Sequence, residues 1–232
     1  MAAMTFPPLP RCVAALLVAA PLAAAATPWP LPALPDNATP FDVGGEMNMG
    51  GLPMRIRGFV SPAPREDVAA WFRRSMGAPV VENQLGAQLV LGQARGDYYV
   101  TVQLDQTPTG TRGMVAVTNL KSAAERRETT LDATRRMLDR LPSGTRVVRD
   151  MASRDGRQLS HYVVLNNAVG EAVNRERITR YLQEDGLRLE RARKNTLWFK
   201  GPGKEATVVL GRDPQGASVV VFNTVTLMEQ LQ

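Results

Sequence analysis

Cysteine and histidine are nearly absent: the 232 residues hold one of each, Cys12 and His161. A conventional zinc site needs about three or four nitrogen, sulfur or oxygen ligands, so these two residues cannot found one. Cys12 follows Arg11 and precedes the first apolar run, whereas a lipid-modified cysteine would have to follow that run and small residues. The chain beyond it has no thiol and no disulfide. Aromatic residues are scarce as well, at 6%. No later segment reaches the roughly 20 apolar residues that cross a bilayer as a helix, which predicts no membrane span there. Acidic residues are scattered, and no pair has a spacing that demands acid-base work.

What is present begins with residues 1–26. One positive charge, an apolar run from Val13 to Ala25 and small residues before Thr27 have the layout of a secretory signal peptide cleaved after Ala26. Cleavage would leave about 200 residues, enough for one large or two small domains, and would place them in the periplasm or outside the cell. Lys and Arg number 28 against 22 Asp and Glu, a modest excess carried almost wholly by arginine. The arginine count reads mostly as the compositional bias of a GC-rich genome, although a basic surface favours acidic partners, anionic lipid head groups or nucleic acid.

Residues 27–53 are crowded with Pro and Gly and read as a flexible, extended arm in which neither helix nor central strand persists. Residues 54–120 then read as β-α-β-β-β. "MRIRGFVS" alternates as a strand, and a helix capped by Ser61 carries Val68, Trp71, Phe72 and Met76 on one stripe. Three or four strands follow. Residues 121–143 form a connecting helix with Leu131, Met137, Leu138 and Leu141 on its apolar face. Residues 144–232 repeat the order, with Ile178, Tyr181 and Leu182 on the second helix and a short last helix over "TLMEQLQ".

The two parts match in element order, apolar positions and turn spacing at a displacement of a little over a hundred residues. The match puts Trp71 and Ile178 in comparable packed places. It also decides the one phosphate-like motif, "GPGK" (201–204), which stands where the first part has "GQARG" between two strands. A P-loop needs GxxxxGK followed by Ser or Thr and a helix; here Glu205 and a strand follow, so the motif is a hairpin turn.

His161 has Ser160 as a neighbour, but adjacent strand residues point to opposite faces, which argues against a base-nucleophile pair. No catalytic residue and no cofactor is expected. Met47, Met49 and Met54 in the arm offer soft thioethers suited to Cu(I). Trp71, Phe72 and Trp198 are candidates to line a ligand or partner site between sheet and helix, or to fill the core. Nucleic acid is not expected, because export separates it from the chain and the aromatics alternate into the core.

The fold class is α+β: two tandem β-α-β-β-β units with antiparallel sheets, joined by a helix. This architecture is similar to the helix-grip modules found, sometimes in tandem, in bacterial envelope-assembly lipoproteins; the similarity transfers no residues. The function expected is a non-catalytic interaction or assembly module that docks another cell-envelope protein. A carrier of a small molecule or of copper is the alternative.

Overall fold

The structure, a computed structural model, describes residues 29–228; the expected signal peptide and residues 229–232 lie outside them. β1 (Thr39–Met49) and β2 (Leu52–Ser61) form a hairpin, followed by α1 (Arg65–Met76). Four strands complete the first half: β3 (Val81–Leu85), β4 (Gln88–Arg95), β5 (Tyr98–Thr107) and β6 (Gly110–Asn119). The long helix α2 (Leu120–Asp139) leads to the hairpin of β7 (Arg146–Asp155) and β8 (Gln158–Asn167), then to α3 (Glu171–Glu184). β9 (Arg188–Arg193), β10 (Thr196–Gly201), β11 (Lys204–Arg212) and β12 (Ser218–Leu227) end the second half.

All twelve strands belong to one antiparallel sheet, in the order β3-β4-β5-β6-β2-β1-β7-β8-β12-β11-β10-β9. The order runs symmetrically outward from β1 and β7, whose pairing joins the halves. The expected β-α-β-β-β unit is therefore corrected in three ways. Each half opens with an additional strand, four strands and not three follow its helix, and the two sheets are one.

Both missed strands break sequence rules at points the structure explains. β1 lies inside the Pro/Gly-rich stretch that reads as an arm. Its Pro40 sits where only β2 pairs with the strand, because β7 joins no earlier than Glu46. The register slips on either side of Gly44, so the glycines mark bulges in a strand and not its absence. β7, "RVVRDMASRD", has no clean alternation because it too is bulged between Val147 and Arg149.

Each half buries its own core on the same face of the sheet. Phe59, Val68, Phe72, Leu91, Val100, Val102 and Leu104 form the first under α1. Leu165, Ile178, Leu182, Leu197, Val208, Leu210 and Phe222 form the second under α3. Phe59 and Leu165, Phe72 and Ile178, Val102 and Val208, and Leu104 and Leu210 are separated by one constant displacement along the chain, and all are fully buried. Burial of a side chain of this size stabilises by roughly 1.5–3 kcal/mol. Ile178 thus matches Phe72 and not Trp71, which is only partly buried and meets the Phe72 ring edge-on.

α1 is capped by Pro64 and not by Ser61, whose hydroxyl accepts from the Ala63 amide and donates to the Asn37 side chain. α2 buries no residue. Leu131, expected on its apolar face, is exposed, while Met137 packs on the second core. The expected last helix begins on residues that continue β12 to Leu227. Among the described residues no helix is long and apolar enough to cross a membrane.

Candidate functional site

The helices cover one face of the sheet and leave the other open. On the open face the sequence places methionines at the centre, where the halves meet. Met47 on β1 stands opposite Met54 on β2, and Met49 on β1 stands opposite Met151 on β7. Directly opposed residues in an antiparallel pair bring their Cβ atoms to about 4.5–5.5 Å, within easy reach of unbranched thioether side chains. Ile56, two residues along β2 from Met54, and Met114 on β6 extend this surface; both are half-buried, and Val60 beyond Ile56 is 47% exposed. The face is polar at its flanks: Arg112 lies over the Phe41 ring at 5.4 Å and Arg191 over the Trp198 ring at 4.1 Å.

Met47, Met49 and Met54 thus lie on one face, as neighbours in a hairpin. Met151 joins them, and the sequence concealed it because β7 lacks alternation. Thioethers on two opposed pairs are chemically suited to a soft monovalent cation. Equally, methionine supplies adaptable apolar contact at a protein surface.

The three aromatic candidates are not brought together. Phe72 is fully buried between Phe59 and Trp71, with ring centroids at 5.7 and 5.0 Å. Trp71 rests against the same first core. Trp198 belongs to the other half and faces away from the helices, under Arg191.

His161 projects toward the helices and its Nε2 lies 2.7 Å from Asp150 Oδ1, across the β7–β8 pair. Its partner is a carboxylate, not Ser160. "GPGK" is the turn between β10 and β11: Gly201 pairs with Lys204, and Gly203 takes the left-handed conformation at φ 61° that glycine adopts without strain. Lys204 Nζ lies 3.9 Å from Asp185 and Lys200 Nζ 3.3 Å from Glu205. Among the described residues no three His, Cys, Asp or Glu side chains are grouped to hold a metal ion.

No protein-family model, curated protein or solved structure matches the chain.

Proposed function

We propose that the chain is an exported, non-catalytic module of the bacterial cell envelope that docks another envelope protein on the open face of its sheet. We read the repeated strand order as a duplicated helix-grip-like unit whose two sheets have merged into one platform. The observation that carries the reading is the methionine-centred apolar surface astride the junction of the halves. Sheets of this kind ordinarily bury one face and solvate the other with polar residues; a face that leaves Met49 and Val60 exposed and Met47, Met151 and Ile56 half-buried, with Met54 buried among them, departs from that rule. Contiguous apolar surface bordered by polar groups marks interaction sites.

The test is a photo-crosslinking side chain placed at Met49 or Ile56, and at Glu128 on the exposed surface of α2 as control, in the producing bacterium. One defined envelope protein crosslinked from the open face and not from α2 supports docking there. Folded variants that crosslink to nothing, or equally from both surfaces, count against it. N-terminal sequencing of the periplasmic form tests export, with Thr27 as the expected first residue.

A second reading rests on the two opposed methionine pairs: the same surface holds Cu(I). Titration with Ag(I), a redox-inert stand-in, should reach saturation at one ion. It should weaken on Met47→Leu with Met54→Leu. Unchanged affinity in that double variant removes the metal reading and leaves the docking one standing.

A further inference from the structure

On the helix-covered face, a cleft lies over the junction of the halves and contains an arginine that the fold does not satisfy. Arg55 occupies β2 on the same face as Phe59, opposite Val117 of β6, in a row otherwise given to the core. Its Nε is buried and has no hydrogen-bond partner, the only buried side-chain polar atom of that kind among the described residues. Its guanidinium lies 5.0 Å from the Trp29 ring centroid, and Nη2 is 3.8 Å from Glu46 Oε1, too far for a hydrogen bond. A buried donor without an acceptor is unfavourable, so this Nε calls for a partner.

The duplication sharpens the anomaly. At the constant displacement that relates Phe59 to Leu165, Arg55 corresponds to His161, and His161 has its carboxylate, Asp150, at 2.7 Å. The second half gives its imidazole a hydrogen-bond partner, in a small space of about 70 Å³. The first half gives Arg55 only a long ion pair with Glu46, at 3.8 Å, and leaves its Nε without an acceptor, beside a cavity of about 380 Å³.

The lining of that cavity is basic. Arg126 of α2 and Arg154 of β7 border it with Arg55, Trp29, Asn119 and Ser122. Arg126 and Arg154 are exposed, and among the described residues neither has a carboxylate at ion-pair distance. The one acidic group on the wall, Glu46, stands opposite Arg154 in the β1–β7 register and also faces Arg55. One carboxylate among three guanidinium groups leaves an excess of two positive charges. α2 begins at the cleft with no acidic residue in its first turn, so the positive end of its dipole adds to the same field.

We infer that this cleft binds a phosphate-bearing anion of about two negative charges, held by the forked donors of Arg55, Arg126 and Arg154. Arg55 Nε gains an acceptor, and the Trp29 ring forms the apolar wall beside the anion. Met47 and Met54 also border this cavity, but the proposal rests on its arginines and not on the docking reading. The same chemistry serves a free phosphate and the headgroup of an anionic phospholipid.

Two titrations of the purified protein separate these sources: calorimetry with inorganic phosphate, and co-sedimentation with phosphatidic acid vesicles against phosphatidylcholine vesicles. Binding in the first identifies a free anion; binding only in the second identifies a headgroup. In either arm Arg126→Gln with Arg154→Gln should weaken binding about tenfold or more, since charge-assisted bonds are lost. Arg136→Gln with Arg188→Gln, the same change of charge at exposed sites elsewhere, should leave it intact. Arg55→Met should abolish binding while thermal stability in the absence of anion stays equal or rises. Absence of binding in both arms, an equal loss in the control pair, or an Arg55→Met protein that loses stability yet still binds would each overturn the assignment.

Discussion

Arg140, the residue that caps the end of α2, lies 4.3 Å from the centroid of the Tyr181 ring and ties α2 to α3. Its guanidinium donates to Asp185 at 3.0 Å, to Glu184 at 3.0 Å and to the Tyr181 carbonyl at 3.0 Å. Burial works against the cation, but the hydrogen bonds to Asp185 and Glu184 outweigh it, and the Arg140 pKa lies above its ordinary value. Since α2 buries no side chain, this network with Met137 is what fixes the far end of the helix. Arg140→Ala should lower stability by about 1–2 kcal/mol, because several partly exposed charged bonds go together. Denaturant unfolding measures it; Arg140→Lys should recover only part, since a lysine cannot fork between two carboxylates.

Tyr181 carries an alkaline signature. Burial and the nearby Asp185 charge raise its pKa above 10, and Arg140 only partly opposes them. The unfolded chain ionises its tyrosine first, so the stabilisation is complete below pH 10 and is lost as pH rises from there toward the folded value. Thermal melts between pH 9 and 11 should fall less steeply for Tyr181→Phe than for the native chain. Identical slopes would show that the ring ionises freely in the folded state.

At acid pH the corresponding group is Glu82. The hydrogen bond from Arg73, at 2.6 Å, holds its carboxyl below the ordinary 4.5 against a smaller opposing effect of burial. Its contribution is present above pH 4.5 and fades as pH falls toward the lower folded value. Both side chains are more than a third exposed, so screening keeps the effect within about 1 kcal/mol. Glu82→Gln should therefore melt slightly lower than the native protein at pH 7 and indistinguishably from it near pH 3.

Asn167 and Asn174 are buried in the second half and exchange amide hydrogen bonds of 2.8 and 3.0 Å. At the constant displacement the first half has Ser61 and Val68 in these places. Asn174→Val alone should cost about 1–3 kcal/mol, because the buried Asn167 amide loses two of its hydrogen bonds and keeps only those to Thr145 and Val169. Adding Asn167→Ser imports the first half's arrangement and should return part of the loss. A double variant less stable than the sum of the singles would mean the two halves solve this corner differently.

Gly58 lies under the Phe41 ring, and a Cβ there would enter it. Gly58→Ala should force Phe41 off the strand and cost about 1–3 kcal/mol by overpacking. Hydrogen exchange should then rise along Thr39–Met49 before it rises elsewhere. Unaltered protection of β1 would count against the strand itself.

The fold was readable in the sequence wherever one face is buried and alternation is clean, as in "YYVTVQL" and "ASVVVFNTV". It was unreadable at β1 and β7, the central pair, which are mostly exposed and bulged and so have neither period nor burial to announce them. The methionines Met47, Met49 and Met54 stood out by composition, but only the β1–β7 register brings Met151 to them. Arg55 looked like one more exposed arginine of a half-buried strand; its unmatched Nε depends on Trp29 and α2 arriving from distant parts of the chain.

The pairing of β1 with β7 spans four residue positions, whereas β8 and β12 pair over ten. Mechanical compliance is thereby concentrated along a single line through the middle of the molecule. A load pulling the flanks apart unzips that line first, and the pieces stay leashed by a stiff helical strut with each hydrophobic interior intact. A protein built this way should yield and re-close under tension instead of unravelling.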